Sequence, residues 1–110
     1  MSAPTDRKLL EQAAKAGGVA LWPQGDAWRA YGKHYGFLLA NGRVLWNPLT
    51  DAGDRYRLAR TLGLNIEFAD CRVWKRTPTG ILQEFWGSDA AGDDDAHAIV
   101  RLAAVIGRAQ

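Results

Sequence analysis

The chain is short of reactive side chains: its 110 residues contain one cysteine, one methionine and two histidines. Cys71 therefore cannot close an internal disulfide, and a small domain without one reads as the product of a reducing compartment. The expected location is the cytoplasm. Zinc ligands are equally scarce, because Cys71, His34 and His97 are widely separated and no paired Cys or His spacing brings two of them onto one turn. No stretch approaches the ~18 apolar residues of a membrane span, and Met1 to Leu10 lacks the basic-then-apolar order of a secretion signal. Neither sign of charge dominates: 14 Lys and Arg stand against 12 Asp and Glu, a net charge of +2. That imbalance is too small to steer the chain toward DNA or anionic lipid.

What is present is an ordinary globular composition, with 47% hydrophobic and 24% charged residues, far from the profile of a disordered chain. The length suits one core, so a single domain over residues 1–110 is expected. Ser2 or Thr5 is placed to cap a helix beginning near Pro4, with Leu9, Leu10, Ala13 and Ala14 at helical spacing and Gly17-Gly18 as its stop. Val19 to Trp22 reads as a short strand closed by Pro23 and Gly25-Asp26. Ala27 to Tyr35 shows no clear pattern.

Gly36 to Ala40, Asn41-Gly42 and Arg43 to Trp46 predict a hairpin, with Asn-Gly supplying two positive φ angles. Phe37 and Leu39 then share a face with Val44 and Trp46, and Leu38, Ala40 and Leu45 take the other face. Both faces are apolar, which calls for cover on two sides or for helices on one side and a partner on the other. After the Asn47-Pro48 turn, Thr50 reads as the N-cap of a helix with Asp51 and Asp54 in its first turn. Leu58, Ala59 and Leu62 form its inner face, Arg57 and Arg60 its outer face, and Gly63 ends it.

Asn65 to Phe68 reads as a strand, and Cys71 to Lys75 pairs with Ile81 to Trp86 across Thr77-Pro78-Thr79-Gly80. In that second hairpin Arg72, Trp74 and Arg76 lie with Ile81, Gln83 and Phe85, while Cys71, Val73, Lys75, Leu82, Glu84 and Trp86 take the opposite side. Neither face is cleanly polar. After the Gly87 to Gly92 loop, Asp93, Asp94 and Asp95 open a last helix striped by Ala96, Ile99, Leu102, Ala103 and Ile106. The order α-β-ββ-α-β-ββ-α predicts an α+β fold in which a mixed or mainly antiparallel sheet is packed by helices. The second half echoes the first, each joining a helix to a strand and a hairpin.

No catalytic, cofactor or metal site emerges, and the expectation is a non-enzyme. Asp89, Asp93, Asp94 and Asp95 with His97 resemble a carboxylate cluster, but consecutive acids on a helix point 100° apart and the helix dipole accounts for them. Cys71 opens a strand, where a small buried hydrophobe is its ordinary role. Ala16-Gly17-Gly18 ends a helix and cradles no phosphate. The candidates for partner binding are Trp28, Arg29, Tyr31, Lys33 and Tyr35, together with Arg72, Trp74 and Arg76. Trp, Tyr and Arg dominate protein interfaces. Aromatics interleaved with cations also suit single-stranded nucleic acid, the alternative reading of Trp28 to Tyr35, which the weak net charge disfavours. Self-association through an exposed strand face is a further expectation.

The block Trp46-Asn47-Pro48-Leu49-Thr50-Asp51-Ala52-Gly53-Asp54, continuing through Arg57-Leu58-Ala59 and Leu62-Gly63-Leu64, resembles a signature of the phage ABA sandwich domain family. Asp6 to Ala16 is similar to that family's opening helix, and the likeness runs loosely through the last alanine-rich helix. The chain departs from the pattern at Trp22 to Tyr35 and at Gly87 to Gly92. The resemblance implies a sheet between helical layers, an origin in a bacteriophage or prophage, and no catalytic residues to carry over. The resulting expectation is an accessory protein that binds a host or phage protein in the bacterial cytoplasm, one form of which is an inhibitor of host defence.

Overall fold

Asp6 to Ala16 is rich in Ala, Leu, Lys and Gln, all strong helix formers. In the computed structural model, which describes residues 3–87 and 94–109 with residues 3–5 as backbone only, this segment lies in helix α1 (Ala3–Gly17). Leu10, Ala13 and Ala14 are buried, the face that helical spacing predicted. Thr5 is inside the helix and so is not its cap, and Ser2 lies outside the described residues.

The unpatterned stretch becomes β1 (Trp28–Tyr31) and the start of β2 (His34–Leu38), and β3 (Leu45–Trp46) completes a first antiparallel sheet of order β1-β2-β3. Val19 to Trp22 does not form a strand. It makes a single bridge, Leu21 to Leu39, with the Trp22 amide donating to the Leu38 carbonyl at 2.8 Å and the Ala40 amide to the Ala20 carbonyl at 3.0 Å. These bonds prolong the edge of β2 that β1 already occupies, because the Leu38 amide also donates to Ala27 on that side.

The β2–β3 pairing keeps the expected register, Phe37 opposite Trp46 and Leu38 opposite Leu45. Its turn differs: Gly42 has φ +73°, Asn41 has no positive φ, and the Gly42 amide donates to the Leu39 carbonyl at 2.8 Å. The Asn41 side-chain oxygen instead accepts from the Arg43 amide at 2.8 Å. The longer loop trims β3 to two residues.

Helix α2 (Ala52–Leu62) is capped by Asp51, not Thr50: Asp51 is extended at φ −110° and its carboxylate accepts from the Asp54 amide at 2.8 Å. A carboxylate one residue later serves both as cap and as dipole partner, a stronger combination than a hydroxyl. Gly63 ends the helix in the left-handed region at φ +67°, and the Leu64 amide reaches the Ala59 carbonyl at 2.9 Å.

Strands β4 (Asn65–Glu67), β5 (Arg72–Thr77) and β6 (Gly80–Phe85) form the second antiparallel sheet, order β4-β5-β6. Phe68 and Trp86 fall just beyond their expected strands, and Cys71 precedes β5 in a turn at φ +50°, half-buried, its thiol donating to the Phe68 carbonyl at 3.8 Å. The buried-strand role expected of Cys71 is thus corrected. The positive φ ends β5 at Arg72, although the Cys71 carbonyl still accepts from the Trp86 amide.

Helix α3 (Asp95–Arg108) is capped by Asp94, whose side chain accepts from the His97 amide at 3.0 Å. Asp93 and Asp89 lie outside the described residues. The apolar surface of α3 is broader than a stripe, since Ala98, Val100, Ala104 and Gly107 are buried as well as Ala96, Ile99, Leu102 and Ala103. A helix apolar nearly all round is a central one. Val100 and Ala103 join Leu10, Phe37, Trp46 and Leu58 in one cluster, whereas Ile99 and Leu102 join Val73 and Ala59 in a second. Helices α2 and α3 contribute to both, so they stand between the cores of the two sheets. Helix α1 packs along α3 through small residues, so close that a Cβ at Gly107 would collide with the Gln12 carbonyl. Among the described residues the fold is α+β, with three helices and two antiparallel three-stranded sheets in the expected order. Among the described residues no helix is long and apolar enough to cross a membrane.

Candidate interaction surface

The second sheet resolves the mixed faces of its hairpin. Arg72 pairs with Phe85, Trp74 with Gln83 and Arg76 with Ile81, so these six side chains share one face, as strand alternation predicts. Val73 on the opposite face is fully buried beneath α3. The charges on that inner face are taken up by the helices: the Lys75 ammonium donates to the Leu62 carbonyl at the end of α2 at 2.6 Å, and Glu84 accepts from Arg101 of α3 at 3.0 Å. A cation on a helix C-terminus and a carboxylate on a guanidinium are both favourable neighbours. The inner face thus keeps two charged residues, each paired with a helix.

The outer face keeps its apolar residues in water. Ile81 is 54% exposed and Phe85 55% exposed. Between them and β4, Trp74 is held in one orientation. Its indole N–H donates to the Glu67 carboxylate at 2.7 Å, the same oxygen accepts from the Arg72 guanidinium at 2.7 Å, and that guanidinium lies 5.5 Å from the centre of the Trp74 ring. Arg72 also donates to the Gln83 side chain at 3.3 Å, while its Nε is buried with no hydrogen-bond partner among the described residues. The bonds from Arg72 and then Trp74 hold the Glu67 carboxyl below its ordinary range. Glu67 organises this cluster. Its register opposite Arg72 is the signal that could have found it. Arg76 is exposed at the end of the face.

The other predicted set, from Trp28 to Tyr35, is divided by the first sheet. Trp28 packs edge-on against Phe37 at 5.1 Å, meets the Tyr35 ring at 5.8 Å, and has the Arg7 guanidinium 5.7 Å from its ring centre. The Tyr35 hydroxyl donates to the buried Asp6 carboxylate at 3.1 Å, and its pKa is raised by burial and by that neighbouring charge. Arg29 donates to the Asp26 and Trp28 carbonyls. Tyr31, Lys33 and His34 remain exposed around the Gly32-Lys33 turn. Trp28 and Tyr35 thus close one side of the core, and Tyr31 and Lys33 face outward. Arg7 and Asp6 sit well away in sequence and carry no local signal of this role, whereas Asp26 is a neighbour whose carboxylate accepts from the Trp28 amide at 3.0 Å.

The Trp46 to Asp54 block forms a wired turn between β3 and α2. Asn47, 3% exposed, donates its side-chain amide to the Tyr35 carbonyl at 2.8 Å and accepts from the Leu49 amide at 2.9 Å. Its own amide donates to the buried Asp54 carboxylate at 2.9 Å, and Arg57 donates to the other Asp54 oxygen at 2.8 Å. Two adjoining clefts of about 280 and 270 Å³ share Val44, Asp54 and Arg57 along this seam. The side chains of Asn47, Asp51, Asp54 and Arg57 in these clefts are paired within the chain.

His97 is joined to Asp94 at 2.8 Å, and among the described residues no hydrogen bond links Cys71 to either histidine. No group of three or more His, Cys, Asp or Glu among the described residues is placed to hold a metal ion. In comparisons with known proteins, no family model, no curated protein and no solved structure matches the chain.

Proposed function

We propose that this chain is a phage or prophage accessory protein that acts by non-catalytic binding to a host or phage protein in the bacterial cytoplasm, through the outer face of the second sheet. The observation that carries the reading is the open cluster of Trp74, Ile81 and Phe85, rimmed by Arg72 and Arg76 and pre-oriented by Glu67. A rigid tryptophan beside exposed apolar side chains and arginine is the composition of an interface hot spot, and its fixed rotamer lowers the entropy lost on binding. The phage origin rests on the resemblance of Trp46 to Asp54, and inhibition of a host defence system is a narrower form of the same reading.

The test is affinity capture from bacterial lysate with the wild-type chain and with a Trp74→Ala/Arg76→Glu variant, each checked by circular dichroism. The expected outcome is a stoichiometric partner held by the wild type and lost with the folded variant. Equal capture by both, or no stoichiometric protein with the wild type, overturns the proposal.

A further inference from the structure

Among the described residues four strands lie at the edges of the two sheets, and three of them are shorter than the fourth. β3 is two residues long, and the amide that follows it, that of Asn47, is bonded to Asp54. β4 is three residues long, and the β1 edge is four. β6 has six residues and contains no proline, and its outward-facing side chains Ile81, Gln83 and Phe85 carry no charge. A long uncharged edge is a template for another strand.

The direction of its free groups follows from the ladder. The Trp86 amide donates to the Cys71 carbonyl at 3.0 Å, so Cys71 and Trp86 form a hydrogen-bonded pair. Alternation makes Val73–Glu84 and Lys75–Leu82 hydrogen-bonded pairs too, and turns the backbone groups of Ile81, Gln83 and Phe85 away from β5. The Arg101 guanidinium donates to the Phe85 carbonyl at 2.7 Å, so this carbonyl points outward and is already engaged, and it can take a partner strand's amide only on its second lone pair. Among the described residues nothing bonds the amides of Ile81, Gln83 and Phe85 or the carbonyls of Ile81 and Gln83.

We infer that β6 pairs antiparallel with β6 of a second copy, about a two-fold axis at Gln83, to form a continuous six-stranded sheet. The occupant is a second copy because the edge is complementary to itself. With Gln83 opposite Gln83 of the partner, Ile81 stands opposite the partner's Phe85, and all three outward-facing residues of β6 find mates within the strand. Each exposed Ile81 gains an aromatic cross-strand neighbour, a favourable pair. The glutamine side chain carries both a donor and an acceptor, so it can bond its own symmetry mate. Leu82 falls opposite the partner's Glu84, and no like charges meet. A shift of the axis to residue 84 would set Glu84 against the partner's Glu84 and leave Ile81 beyond the partner's strand. The interface is isologous, as closed dimers require. It leaves Trp74 and Arg76 open, and it stands whether or not those residues bind another protein.

Sedimentation velocity on the purified chain tests this across concentrations up to about 1 mM, where even an interaction of roughly −4 kcal/mol is half-populated. A rise in mass from monomer to dimer is expected, and a monomer throughout overturns the inference. Gln83→Pro removes an outward amide, at a place where an edge strand tolerates proline, and the exposed 3.3 Å bond from Arg72, so it should stay folded by circular dichroism and become monomeric. A folded Gln83→Pro that still dimerises overturns the inference. Should that variant unfold, the axis is read from cysteines placed in a Cys71→Ser background. Gln83→Cys should cross-link to its mate on oxidation, since opposed residues of a hydrogen-bonded pair lie about 5.5 Å apart at Cα, within disulfide reach. Phe85→Cys should not. The reverse pattern, or no cross-link at Gln83→Cys, overturns the register. These measurements use the isolated chain, so their failure is distinct from a failure to capture a partner.

Discussion

The two sheets share an architecture and use it in opposite ways. Each is a three-stranded antiparallel meander that follows a helix, and each has apolar residues on both faces of its hairpin. The first turns its aromatics inward: Phe37 is 3% and Trp46 5% exposed, with Trp28 and Tyr35 packed beside them. The second sends Val73 inward with Lys75 and Glu84, and leaves Ile81 and Phe85 outside. The difference lies in what the covering helices present. Where the last turn of α2 offers the Leu62 carbonyl and α3 carries Arg101, charged strand residues find partners beneath the sheet. A charged strand residue therefore does not by itself mark the outer face.

The contrast is broken most severely from the buried side. Trp46→Ala should cost about 3–5 kcal/mol of stability as transfer energy and cavity terms add, whereas Phe85→Ala in the second sheet should stay within about 0.5 kcal/mol. Urea denaturation of both variants measures the gap. Equal losses would mean that the outer face of the second sheet is structurally covered.

A smaller effect is expected at the protected edge of the first sheet. Asp54→Ala leaves the buried Asn47 amide without its acceptor and should cost about 1–3 kcal/mol. Asp54→Asn, which keeps an acceptor, should recover part of it. If both variants lose the same, the pairing with Arg57 and not the strand amide is what matters.

The smallest effect belongs to the outer cluster. The carboxyl of Glu67 is held below its usual 4.5 by bonds from Arg72 and Trp74. A carboxylate depressed in the folded state contributes fully above its unfolded value, and the contribution is lost as pH falls through the lower folded value. The difference in melting temperature between wild type and Glu67→Gln should thus be constant near neutral pH and close on titration from about pH 6 to about pH 2. A gap independent of pH removes the carboxylate's charge from the account.

Much of this was legible locally. Leu10, Ala13 and Ala14 on one helical face, Gly63 as a left-handed stop, and the registers of both hairpins follow from spacing alone. The first sheet was harder. β1 begins in Trp-Arg-Ala-Tyr, where Ala30 and Tyr31 are both exposed and blur the alternation. The choice of Asp51 over Thr50 as cap turned on which side chain could reach the Asp54 amide. Of the candidate interface residues, Arg72, Trp74 and Arg76 are gathered on one face with Ile81 and Phe85, while Tyr31 is separated from Trp28 and Tyr35 by the plane of the first sheet and Lys33 lies in the turn. Glu67 was not foreseen because its importance depends on the neighbouring strand.

The amino-acid sequence by itself determined the helices, the strands of the second sheet and the pairing within each hairpin, because these depend on neighbours a few residues apart; it did not mark β1. Only the tertiary structure decided that the strands divide into two sheets, that α3 stands between their cores, and that the aromatic face is buried in one sheet and open in the other. Those outcomes depend on groups from distant segments, such as the Leu62 carbonyl under Lys75 and Arg101 under Glu84. The free energy of burying a charge is set by the partner it meets, and the sequence around that charge does not name the partner.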